Sequence, residues 1–125
     1  DDQGDNCKLR IYKAESLFGR YVLYQEIVNN LAQERGAGSF FWYNDRLIRP
    51  VQNCEGDYGR NVIFKEIIIN DGIFQEEVIG NIFPTSSFPE GLHTFNTLNN
   101  KYVIDGMGYN VGNWMTYIKK LLNRW

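Results

Sequence analysis

The residue types best suited to chemistry in this 125-residue chain are few and mostly fall in two short stretches. Arg49 and Gln52 can donate and accept in the paired fashion that vicinal sugar hydroxyls or a phosphate require. Arg49 has an equally good structural use, which is to lock Asp57 or Asp105 in an ion pair that fixes the neighbouring loop. Sequence leaves these two uses open. Tyr58 closes the same polar run, Gln52, Asn53, Glu55, Asp57 and Tyr58. His93 is the only histidine, which excludes a multi-histidine metal site. It can anchor a loop or contact a sugar. Asp105 offers a carboxylate at the end of a strand, although Asp-Gly is first of all a turn signal.

Other candidates carry less. Glu66, Glu76 and Glu77 fall in strands, and the adjacent pair cannot both face the core, so at least one is expected to be solvated edge charge. A glycosidase needs two carboxylates ~5 to 9.5 Å apart across the scissile bond, a distance that sequence does not supply. Gly36-x-Gly38 precedes a strand instead of a helix and lacks the third glycine and lysine of a phosphate loop. Cys54 has no histidine-linked partner and is expected to be packing, and a Cys7–Cys54 disulfide is permitted but not demanded. No metal and no cofactor are expected.

Hairpins must position these groups. LRIYKA at 9–14 and YVLYQEI at 21–27 alternate and pair, and a polar connection through Arg35-Gly36 then crosses from one sheet to another. At 40–43 an aromatic strand precedes Asn44-Asp45, residues that tolerate the left-handed angles of a tight turn, and Leu47-Ile48 starts a return strand that Arg49-Pro50 ends. NVIFKEIII at 61–69, Asn70-Asp71-Gly72 and the strand at 74–79 make a third hairpin, and 93–98 with 102–104 a fourth. Asn113 can cap a helix over 113–125, on which Trp114, Ile118, Leu121 and Trp125 recur at helical spacing, widened by Met115 and Leu122. That helix should pack apolar side down on a sheet.

The hairpins repeat. A shift of 52 residues carries Ile11-Tyr12-Lys13 onto Ile63-Phe64-Lys65 and Ile27 onto Ile79, and a shift of 55 carries FFWYNDRLIRP onto FNTLNNKYVID. A unit of a little over 50 residues made of two hairpins is the pattern of a four-stranded propeller blade. The fold expected is therefore mainly β: a partial propeller in which 9–27 is the outer half of one blade, 40–79 a whole blade with its first strand innermost, 93–106 the inner half of a third, and 113–125 a helix. A small antiparallel barrel with the helix outside is the alternative.

At RPVQNC, followed by DYG and a strand with FKEI, the chain resembles the amino-terminal propeller domain of plant glucosamine inositolphosphorylceramide transferases and its bacterial relatives. The matching residues are Arg49, Pro50, Gln52, Cys54, Tyr58, Gly59, Glu66 and Ile67. They continue with His93, Thr94, Ile104, Asp105 and Gly106, and upstream with Arg35 and Gly38. Asn53 stands where that family has an acidic residue. The resemblance implies the carboxy-terminal part of a five-bladed propeller akin to family 43 glycoside hydrolases, with a sugar site in its funnel. It implies a carbohydrate-active module, hydrolase-like or glycosyltransferase-associated, in cell-surface glycan or glycolipid assembly. A non-catalytic sugar-recognition module serving a neighbouring enzyme domain is the alternative, and a small-ligand-binding barrel a distant one. On this reading Arg35, Arg49, Gln52, Tyr58, His93 and Asp105 gather at one end of the sheets and bind a sugar or sugar-phosphate.

Composition bounds the partners. Thirteen basic against fifteen acidic residues leave a net charge of −2, with no run of like charge longer than a pair, which argues against nucleic acid. Aromatic residues at 15% suit strands and also suit stacking on sugars. No apolar run approaches the ~20 residues of a membrane span. DDQGD has neither the basic start nor the apolar middle of a signal peptide. A cytoplasmic, processed or truncated chain is expected, with the remaining blades or a second chain as its structural partner.

Overall fold

The computed structural model describes residues 7–56, 58–99 and 101–108. Within them the chain is mainly β and antiparallel. β1 (Lys8–Lys13) and β2 (Val22–Val28) form one hairpin, and β7 (Gly91–Leu98) and β8 (Lys101–Met107) form another. Between them β3 (Phe41–Tyr43), β4 (Arg46–Asn53), β5 (Asn61–Asn70) and β6 (Ile73–Ile82) make a four-stranded sheet in that spatial order. The four strands expected across 40–79 therefore share one sheet. Its turns follow from their residues. Asn44 and Asp45 take φ of 48° and 62°, and Asp71 and Gly72 take 50° and 79°, the paired positive angles whose twist matches that of hairpin strands.

The sequence reading ends the fourth strand at Arg49-Pro50, yet β4 runs through Pro50 to Asn53. The reason lies in what faces the proline. β3 pairs with β4 only as far as Ile48, and beyond that point the loop around 32–37 takes over the edge. Ala37 N–H donates to the Pro50 carbonyl at 2.9 Å, Gln52 N–H to the Arg35 carbonyl at 2.8 Å, and Cys54 N–H to the Ala32 carbonyl at 2.8 Å. Pro50 has no N–H to return to Ala37, and the Ala37 carbonyl accepts instead from Phe95 N–H at 2.8 Å. The missing donor thus leaves an acceptor for the next hairpin. Ala32, Gln33, Glu34 and Ala37 are consequently buried, in a segment that reads as a polar connection.

The core lies between this sheet and β7. Ala37, Val62, Leu92 and Phe95 are its buried members, with Phe41, Phe64 and Ile82 packed against them. The Phe95 ring meets Phe64 edge-on at 4.8 Å between centroids and Phe41 at 5.5 Å. Gly38 makes the approach possible, since a Cβ there would overlap the Phe95 carbonyl.

On the opposite flank, Gln25 of β2 treats the outer edge of β6 as a ladder partner. Its amide donates to the Phe74 carbonyl at 2.8 Å and accepts from Phe74 N–H at 2.9 Å. One side-chain rung stands where a paired strand would be needed for closure, and the described strands remain three separate sheets. The barrel alternative is set aside for these residues. The expected helix at 113–125 lies outside the described residues. Cys7 and Cys54 are not joined in a disulfide.

If Phe95 is the centre of the core, Phe95→Ala should lower unfolding stability by about 3–5 kcal/mol in urea. Leu98→Ala, on the same strand but 71% exposed, should change it by less than ~0.5 kcal/mol. Equal effects would contradict the packing described.

Candidate functional site

Alternation along β4 and β5 puts Arg49 and Lys65 directly opposite one another on the face away from β7. Two like charges so placed repel unless carboxylates separate them. Glu34, from the loop beside β4, and Glu76, from β6, do so. Glu34 accepts from Arg49 Nη2 at 2.6 Å and from Lys65 Nζ at 2.5 Å. Glu76 accepts from Arg49 Nε, from Arg49 Nη2 at 2.8 Å, and from Lys65 Nζ at 3.3 Å. Each cation touches both carboxylates, so the four close a ring. The ring is formally neutral, and every member's side chain is at most 5% exposed. Arg49 also donates to the Glu34 carbonyl, and Asn29 to the Glu34 carboxylate, both at 3.3 Å.

Burial alone would raise the Glu76 carboxyl. The Arg49 hydrogen bonds and charge, together with the Lys65 charge and hydrogen bond, more than offset it and hold Glu76 below the usual carboxylate value. Arg49 is therefore a structural cation, with Glu34 and Glu76 as partners in place of the Asp57 or Asp105 considered from sequence.

The other expected residues collect at one end of the core. Gly59, at φ 67°, lets the 54–60 loop lie against the start of β7, with Leu92 N–H donating to the Gly59 carbonyl at 2.9 Å. There the β7–β8 register slips between Leu92 and Thr94, making His93 the extra residue of a bulge. A bulge re-aims its side chain, and the His93 imidazole turns under Gly59, where any Cβ would overlap it. Tyr58 stands beside it, 5.4 Å between ring centroids, and the Arg35 guanidinium lies 5.1 Å from the centre of the Tyr58 ring. Asp105 completes the row. Its Oδ2 is 3.9 Å from His93 Nδ1, and its Oδ1 accepts Thr94 N–H at 2.6 Å.

Arg35, Tyr58, His93 and Asp105 thus form a continuous line drawn from three parts of the chain. Arg35, Tyr58 and Asp105 are exposed, whereas His93 Nε2 is enclosed and has no hydrogen-bond partner among the described residues. Gln52 lies beneath this end, buried, with its backbone bonded to the Arg35 carbonyl and its side chain near the Cys54 thiol. Arg49 belongs to the ring instead. Sequence reasoning missed Glu34 and Lys65. Lys65 carried a signal, since it shares a face with Ile63 and Ile67 on a strongly apolar strand, and a lysine buried there requires a carboxylate partner. Among the described residues no group of three or more metal-ligating side chains occurs.

Comparison of the chain with protein-family models, with curated proteins and with solved structures finds no match.

Two measurements check the ring. Arg49→Met leaves two carboxylates enclosed with one lysine and should cost about 3–5 kcal/mol of stability. The lowered Glu76 pKa fixes the sign of a pH effect. Its contribution is fully present above the unfolded carboxyl pKa and is lost as pH falls through the folded one. Urea midpoints taken from pH 7 downward should therefore fall more steeply for the parent chain than for Glu76→Gln. Parallel curves would show that Glu76 is not held ionised by the ring.

Proposed function

We propose that this chain is part of a carbohydrate-active β-propeller module in cell-surface glycan or glycolipid assembly, and that its polar end binds a sugar or sugar-phosphate. In that arrangement β3–β6 is a complete blade, β1–β2 the outer half of the blade before it and β7–β8 the inner half of the blade after it. Hairpins contacting the central sheet from two sides support this reading, as do the 52- and 55-residue repeats. So does the resemblance of the 49–67 and 93–106 stretches to the propeller domain of the inositolphosphorylceramide glycosyltransferases.

The observation that carries the binding proposal is the line of Arg35, Tyr58, His93 and Asp105. A guanidinium, a phenol and a carboxylate, exposed side by side, offer donors and acceptors at the spacing of adjacent sugar hydroxyls, and the guanidinium adds affinity for phosphate. Recognition is favoured over hydrolysis by one detail. The single imidazole has its Nε2 enclosed under Gly59, so it positions Tyr58 and Asp105 and does not reach a reacting atom. The Glu34 and Glu76 carboxylates are likewise committed to the ring.

Calorimetry against a panel of sugars and sugar phosphates tests this. Arg35→Ala and Asp105→Asn, both at exposed positions, should preserve the unfolding midpoint while weakening binding tenfold or more. Binding that survives both changes in a folded chain, or a panel with no ligand at all, would remove the proposal.

A further inference from the structure

Opposite the ring, the central sheet and the β7–β8 hairpin enclose an apolar cavity of about 430 Å³. Phe41, Ile48, Phe64 and Ile82 supply the sheet wall, with Phe95, Tyr102 and Ile104 opposite and the bulged Ile79 and Gly80 of β6 at the side. Walls of this kind are costly to leave in water. We infer that the carboxy-terminal segment of the same chain, residues 109–125, seats its apolar face in this cavity.

Three observations lead there. The described chain leaves β8 at Gly108, and Tyr102 and Ile104 of that same strand line the cavity, so the segment starts from one of its walls. Length fits as well. Four residues, 109–112, are enough to reverse direction, and 113–125 at helical spacing reaches about 20 Å, close to the ~23 Å of a seven-residue strand such as β8. The pattern also fits: Trp114, Ile118, Leu121 and Trp125 form one apolar stripe, with Met115 and Leu122 beside it, while Lys119, Lys120 and Arg124 fall elsewhere. The lining residues offer no carboxylate to a lysine, so only the stripe suits them.

The test uses the full chain in a Trp42→Phe background. Trp42 is 71% exposed, and its removal leaves Trp114 and Trp125 as the only fluorophores of the three tryptophans. Blue-shifted emission, poorly quenched by acrylamide and independent of protein concentration, is expected. Gly80→Phe should then send emission to the red and raise quenching several-fold with the strand signal intact, because nothing lies within 4 Å of where its Cβ would stand and the ring enters the cavity. If that variant does not fold, Ile118→Asp, a change outside the described sheets, should produce the same exposure. Lys119→Ala with Lys120→Ala should leave the emission unchanged. Water-like emission in the background chain would overturn the inference, as would emission unmoved by Gly80→Phe in a folded chain. A blue shift lost on dilution would assign the cavity to a second copy and overturn it equally.

Discussion

Two cations and two carboxylates enclosed together set the terms for the surrounding structure. Removing four charges from water costs several kcal/mol for each ion, and only a closed arrangement in which every donor finds an acceptor recovers it. Glu34, Arg49, Lys65 and Glu76 achieve this by drawing one member from each of β4, β5, β6 and the loop beside β4. The gain is specificity as much as stability, since a one-residue slip of β4 against β5 would turn Arg49 and Lys65 into the phenylalanine core. The strand register and the path of the 32–37 loop are thereby fixed together.

That loop links the two faces of the sheet. Glu34 enters the ring on one side, Arg35 is held by Gln52 N–H and lies over Tyr58, and Ala37 joins the core on the other side and accepts from Phe95. Four consecutive residues therefore connect the buried charges, the exposed polar line and the docking of β7. Tyr58 and Asp105 are placed from the opposite direction, through Gly59 and the bulge at His93. The polar end is a rigid feature because two independent supports converge on it.

Much of this was legible in the sequence where the physics is local. Asn-Asp and Asp-Gly between alternating apolar strands require paired positive φ angles, and those turns formed where the residues stand. The reading of Glu76-Glu77 as a pair with only one inward member also matches, for Glu76 is in the ring and Glu77 is exposed. The failures are non-local. Pro50 reads as a strand terminator because its missing donor is local information, whereas the loop that makes the loss harmless lies 13 residues earlier, at Ala37. Glu34 sits in a polar stretch that looks like a crossing linker, and nothing within that stretch reveals two cations waiting on neighbouring strands. His93 was identifiable as special, but its turn beneath Gly59 depends on a bulge that no pattern of residue types announces.

The claim that the ring holds the 32–37 loop, and through it the polar end, is tested most directly by amide hydrogen exchange in Glu34→Gln. This change keeps the shape and removes one charge from the ring. The amides of Ala37, Gln52 and Cys54, which join the loop to β4, should lose most of their protection, while those of the β5–β6 ladder beyond Lys65 keep theirs. Protection retained at all three in a folded Glu34→Gln chain would show that backbone pairing alone fixes the loop, and the central role given to the buried charges would be wrong.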